Sequence, residues 1–237
     1  MLFVYAELAD DGNLLLHLYC VDPSGNISLR LSQGKAAVMF SATFLPVNYF
    51  KEMISGNTED YAVYAHSPFD TSNKRVIVGR DVSSRYTRRN VNEYTKVADY
   101  IRKLVTSRDG RYMVFFPSYS YMQAVYDVYT EKYQSNIIEL ADNDMASDMV
   151  LDIFSLSGIF SEGIDLRGEA LIGAAIVGTG IPMICRQRNI LRDYFDSRGR
   201  NGYQYAYVYP GMNKVLQAAG RVIRTDSDKG IILLLDD

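Results

Sequence analysis

Along the chain, short apolar runs alternate with stretches of helical period. Leu14–Cys20 reads as a strand, closed by the turn Asp22-Pro-Ser-Gly25. Residues 36–40 predict a short buried strand, and 76–78 form another small apolar run. Residues 94–106 carry Val97, Ile101, Leu104 and Val105 at helical spacing. Residues 112–116 are strongly β-prone and stop at Pro117. Tyr119–Tyr133 places Met122, Val125, Tyr126 and Tyr129 on one helix face. Residues 170–177 are strand-like and 178–182 a loop; 190–195 continue as helix and 203–209 as strand. Pro210 opens a helix expected to carry Gln217 to Arg224, and 231–235 form the last strand. Strands alternating with helices predict a parallel α/β sheet, whose ligands sit beyond the C-terminal strand edge.

Composition narrows this. The 237 residues are 48% hydrophobic, enough for one large domain or two small ones. No apolar run reaches the roughly 18 residues of a membrane helix, and Met1-Leu-Phe-Val-Tyr-Ala lacks the basic start of a signal peptide. Cys20 and Cys185 give no disulfide framework, so the cytoplasm is the expected location. Cys20, within a strand, predicts a buried inert thiol, and Cys185, in a basic loop, an exposed one. His17 and His66 are isolated, and no metal-ligand spacing appears.

Net charge is only −3, but its distribution is segmented. Residues 74–111 hold eleven Lys/Arg against four Asp/Glu, and 185–229 nine against four. Residues 131–169 hold two against nine, and 1–70 three against eight. Basic blocks that converge form a phosphate-tracking surface; apart, they are solvated faces.

The sharpest chemistry lies in Gln217-Ala-Ala-Gly-Arg-Val-Ile-Arg224. Gln217, Arg221 and Arg224 stand at i, i+4 and i+7, one face if the segment is helical. Ala218, Ala219 and Gly220 keep the backbone around them thin. Arginine forks onto phosphate oxygens and neutralises charge on a transferred phosphoryl group. The alternative is a solvated basic face. A phosphate cradle of the form G-x-x-x-x-G-K-[ST] is missing: Gly34-Lys35 is followed by Ala36.

That segment resembles motif VI of superfamily 2 helicases. Residues 158–166 resemble motif V of the DinG/XPD family, Ser41-Ala-Thr43 with Pro46 motif III, and residues 113–119 motif IV. Ser83-Ser-Arg-Tyr86 and residues 176–182 also fit the family pattern, and the blocks run in the family's order from 41 to 236. The resemblance implies a RecA-like parallel sheet flanked by helices, of the P-loop NTPase type but lacking its own P-loop. It implies one second motor domain over 1–237, with 1–35 as entry segment, cut from a longer 5′-3′ DNA helicase. ATP and Mg2+ would be held mostly by the preceding N-terminal helicase domain, which is the expected partner together with single-stranded DNA. An iron–sulfur cluster would belong only to that absent region, because two distant cysteines cannot build one. Arg221 and Arg224 would reach the γ-phosphate with Gln217 and Gly220 supporting; Glu162, Gly163 and Asp165 would couple nucleotide to DNA; Ser41 and Thr43 would link the cleft to domain movement. Ser118, Tyr119, Arg85 and Arg88 would bind the DNA strand, with Arg89 adding a backbone contact. Asp165 also fits a helix N-cap, and Ser41 and Thr43 simple turn capping. Residues 137–140 resemble a family strand, and the run to Gly163 is shorter than the pattern. The fragment alone is not expected to hydrolyse ATP. The alternative is a helicase-derived module that binds nucleic acid or a partner without turnover.

Overall fold

A computed structural model of the chain describes residues 1–9, 11–108, 110–134, 138–139, 150–155 and 171–237. In chain order its elements begin with β1 (Leu2–Leu8), β2 (Leu14–Cys20), α1 (Ser24–Leu31), α2 (Val47–Ile54) and β3 (Lys74–Gly79). Next come α3 (Val91–Ser107), β4 (Arg111–Phe116), α4 (Tyr119–Tyr133), β5 (Ile138–Glu139), β6 (Val150–Ser155) and β7 (Gly173–Val177). The last are α5 (Arg186–Ser197), α6 (Tyr209–Ala219) and β8 (Gly230–Leu235). They divide into two compact units: Met1–Ala65 with Pro182–Asn213, and His66–Ile181 with Lys214–Asp237.

The second unit is a layered α/β structure. Its sheet has the order β3-β8-β7-β4-β6-β5. The strands β3, β8, β7 and β4 are mutually parallel, while β6 runs antiparallel to β4 and β5 antiparallel to β6. Alternation along each strand sorts side chains between the two faces. Tyr112, Val114 and Phe116 of β4, with Val177 and Leu235, pack with Val97, Ile101 and Val125 of α3 and α4. Met113 and Phe115, with Ile176 and Ile232, pack with Val215 and Ala218 of α6. A four-stranded parallel sheet covered by helices is therefore the core, and it agrees with the RecA-like expectation. Both helices on the first face start on a capped turn. Asn90 Oδ1 accepts from the Glu93 amide at 3.1 Å, and Ser118 Oγ from the Tyr121 amide at 3.3 Å.

In the first unit β1 and β2 form an antiparallel hairpin, so the strand expected at Leu14–Cys20 stands but belongs to no parallel sheet. Val21, Leu191, Tyr194, Phe195, Tyr205 and Tyr207 form the core of this unit.

Several expectations are overturned. Residues 36–40 form no strand: Val38 is 86% and Phe40 90% exposed, because the run has no neighbouring strand to pair with among the described residues. Residues 203–209 are helical, with Gln204–Val208 in a π-helical turn that runs into α6. Cys20 is exposed, because the hairpin is open to solvent, and Cys185 is exposed as expected. The helix expected to carry Arg221 and Arg224 ends at Ala219. No helix among the described residues is long and apolar enough to cross a membrane.

Candidate nucleic-acid interface and arginine loop

The sheet presents chemistry at both of its edges. Strands β3, β4, β7 and β8 all deliver their C-terminal ends to one edge, and that edge gathers residues far apart in sequence. The segment after β3 is pinned there. Val82 and Ser83 are each 1% exposed. The Ser83 amide donates to Glu93 Oε2 at 3.0 Å and its hydroxyl to Asp237 Oδ1 at 2.9 Å. The Ser84 amide donates to Asp236 Oδ1 at 2.9 Å. Gly178, which follows β7 at φ +83°, lies so close that a Cβ there would sit 2.9 Å from Ser84 Oγ.

Two of the four expected DNA-binding residues lie on this turn. Arg88 Nη1 donates to Asp237 Oδ2 at 2.9 Å and its other terminus lies 3.5 Å from Glu93 Oε1; Arg85 Nε lies 3.4 Å from Asp237 Oδ1. Both guanidiniums stay solvent-facing, with side chains 67% and 48% exposed for Arg85 and Arg88. These ion pairs fix the fork of each arginine while leaving other N–H donors outward. The Ser83 hydroxyl, with Arg85 and Arg88, holds the Asp237 carboxyl below its usual range. A hydrogen bond from Lys96, with the Ser83 amide and Arg88, does the same for Glu93.

The other two, Ser118 and Tyr119, follow β4 at the same edge. Ser118 caps α4, and Tyr119 is 41% exposed. Arg89, expected as a further backbone contact, follows the same turn. Its guanidinium lies 4.9 Å from the Tyr121 ring centroid and 5.3 Å from that of Tyr86.

The opposite edge carries the arginine segment, since residues 220–229 lead into the N-terminal end of β8. Here the structure replaces the expected single helix face with a turn. After Ala219 the Arg221 amide donates to Ala218 O at 3.2 Å and the Val222 amide to Ala219 O at 3.3 Å. Val222 is 2% exposed and anchors the turn in the core. Gly220 supplies the thin backbone at the helix end. Gln217 and Arg224 are exposed and Arg221 half-buried. Asp228, 7% exposed, clamps the backbone at residues 224 and 225: Oδ2 accepts the amides of Arg224 and Thr225, each at 2.8 Å, and Oδ1 the Thr225 hydroxyl at 2.6 Å. These bonds, the Thr225 hydroxyl first, hold its carboxyl below the usual range.

Ser41 and Thr43 lie in the first unit, in a turn where the Thr43 amide donates to Ser41 Oγ at 3.2 Å and the two hydroxyls are 3.2 Å apart. Glu162, Gly163 and Asp165 lie outside the described residues. Among the described residues, no group of three or more His, Cys, Asp or Glu stands close enough to hold a metal ion.

Residues 101–237, more than half of the chain, match the family described as a helicase C-terminal domain. Over 67% of its length the chain is 30% identical to the ATP-dependent DNA helicase XPD of Sulfolobus acidocaldarius, covering 30% of that protein. It is 25% identical to a probable ATP-dependent helicase of Methanocaldococcus jannaschii, over 95% of this chain and 38% of that one. To the 3′-5′ exonuclease DinG of Staphylococcus saprophyticus it is 25% identical, over 80% of this chain and 21% of that one. A solved XPD helicase structure matches with TM-score 0.66 at 22% identity, covering 95% of this chain and 43% of that chain. The chain thus spans well under half the length of these curated relatives.

Proposed function

Because the chain belongs to the helicase C-terminal domain family of DinG/XPD-type superfamily 2 helicases, we propose that it is the second RecA-like motor domain of a longer ATP-dependent DNA helicase. The observation that carries this reading is the separation of two basic features to opposite edges of one parallel sheet. At the N-terminal edge Arg221 and Arg224, with Gln217 beside them, act as arginine fingers on the γ-phosphate of ATP bound by the preceding domain. Their fit to a phosphate rests on guanidinium chemistry and on a turn held by Val222 and Asp228. At the C-terminal edge Arg85, Arg88, Ser118 and Tyr119 take the backbone of single-stranded DNA, which is tracked 5′ to 3′. Glu162, Gly163 and Asp165 couple the two, and Ser41 and Thr43 relay the cleft's state. Mg2+ and the phosphate cradle belong to the preceding domain.

The test is DNA-stimulated ATP hydrolysis by the full-length protein carrying Arg221→Ala or Arg224→Ala. Turnover is expected to fall about 10³-fold or more with nucleotide binding retained, the loss typical of a missing arginine finger. An unchanged rate makes the turn structural and removes the arginine-finger role, and a wild-type protein without turnover leaves the non-catalytic binding module as the reading.

A further inference from the structure

We propose that Tyr86 is a base-stacking platform, taking one unstacked base of the DNA strand whose phosphates pass Arg85 and Arg88. This rests on the reading of the C-terminal strand edge as the single-strand path, and goes beyond it by assigning an aromatic contact. Tyr86 is 83% exposed, whereas Tyr121 behind it is 1% exposed. Between them lies the Arg89 guanidinium, 4.9 Å from the Tyr121 ring and 5.3 Å from the Tyr86 ring. Arg89 Nε also donates to the Ser84 carbonyl at 3.4 Å. The three side chains form a ladder of ring, cation and ring rooted in the core, which ends outward on an aromatic surface. A base extends that ladder, and stacking accepts any base because every base has a π-face.

The ring also stands on a fixed support. Tyr86–Arg88 is a single 3-10 turn. Before it, Ser83 and Ser84 are tied to Glu93, Asp236 and Asp237; after it, Asn90 Nδ2 donates to the Arg88 carbonyl at 3.0 Å while Asn90 caps α3. Little conformational freedom is left to lose when a base arrives. Arg85 and Arg88 converge on the Asp237 carboxylate and remain solvent-facing, so a strand laid on the turn meets phosphate contacts beside the stacked base.

The experiment measures binding of the full-length protein to a labelled oligothymidylate and to an abasic oligomer of equal length and charge. Tyr86→Ala is expected to weaken the oligothymidylate about tenfold or more, from the usual size of one base–aromatic stack. Affinity for the abasic oligomer and KM for ATP are expected to stay unchanged, and Tyr86→Phe and Tyr86→Trp to restore binding. An oligothymidylate affinity unchanged in Tyr86→Ala, but lowered by Arg85→Ala or Arg88→Ala, overturns the platform and leaves the strand path standing. Equal losses on both oligomers, or a shifted KM for ATP, overturn stacking as the role of the ring. If neither Tyr86→Ala nor the arginine variants change binding, the strand path itself falls and the platform with it.

Discussion

Replacing Asp228 separates what its carboxylate does for the arginine loop from what any polar residue would do there. Three donors converge on it, the amides of Arg224 and Thr225 at 2.8 Å each and the Thr225 hydroxyl at 2.6 Å. A hydrogen bond to a charged group contributes about 1.5–3 kcal/mol, and an orphaned buried donor costs about 1–3 kcal/mol. Residues 224 and 225 are exposed, so water replaces part of what Asp228→Ala removes. The expected net loss is about 2–4 kcal/mol, a fall in Tm on the order of 10 °C for a chain of this size. Asp228→Asn keeps an acceptor for both amides and turns a donor towards Thr225 Oγ, so its loss is about 1 kcal/mol. The functional expectation comes from position: releasing the backbone at Arg224 displaces its guanidinium, and a misplacement of about 1 Å costs about 10²-fold in rate. ATP turnover by the full-length protein, measured well below Tm, is therefore expected to fall about 10²-fold in Asp228→Ala and only a few-fold in Asp228→Asn. Normal turnover in Asp228→Ala would refute the clamp. Equal damage from both variants would refute the acceptor geometry and make charge alone the cause.

Gly178→Ala puts a Cβ at φ +83° and 2.9 Å from Ser84 Oγ, so chemical denaturation is expected to show a loss of about 1–2 kcal/mol; a midpoint equal to wild type would contradict the close approach. Glu93→Ala leaves the buried Ser83 amide without its carboxylate and is expected to cost about 1–3 kcal/mol, with faster hydrogen exchange at residues 82–84 as the local readout; unchanged exchange would show that Glu93 does not pin the turn. Glu93, through Lys96, and Asp228, through Thr225, titrate lower when folded than when unfolded, so the unfolded chain binds more protons on acidification. Their contribution is complete above the unfolded value of about 4 and is lost as pH falls through the lower folded values. The urea midpoint is expected to hold between pH 7 and 5 and to drop below about 4, and one unchanged at pH 3 would refute this.

How legible the fold was depended on whether a segment's pattern had one solution. Tyr119–Tyr133 was readable to the residue because a Ser start and a single helical period agree there, and Leu14–Cys20 because its apolar run lies between turn signals. Residues 203–209 did not have one solution. Tyrosines at 203, 205, 207 and 209 alternate as in a strand, yet 203 with 207 and 205 with 209 are also i, i+4 pairs. Their rings lie 5.2 and 5.5 Å apart on the helix, and among the described residues no strand lies alongside to reward the other choice. For 36–40 the apolar pattern was plain, but a strand is a property of two segments, and the described residues supply only one. In the candidate site, residue types were legible and arrangement was not. Gln217, Arg221 and Arg224 fit one face only if the helix continues, and it ends at Ala219 because Gly220 weakens it and Val222 turns into the core. Asp228 was invisible as a clamp, since its role depends on a loop geometry that no periodicity encodes.

The placement of β8 gives the two basic regions a physical connection. The loop that Asp228 clamps enters this strand, and Asp236 and Asp237, which hold Ser83, Ser84, Arg85 and Arg88, leave it. Six residues at about 3.3 Å each separate the two. The strand is hydrogen-bonded to β3 on one side and β7 on the other, and Ile232, Leu233 and Leu235 are buried. A strand held on both edges and packed through its side chains does not lengthen or slide without breaking many bonds at once. A force on Arg221 or Arg224 is therefore passed to the turn bearing Arg85 and Arg88 as displacement of the whole sheet. On the proposed reading, nucleotide chemistry at one edge moves the strand-binding edge as part of a rigid body, and the work of coupling falls to motion between domains.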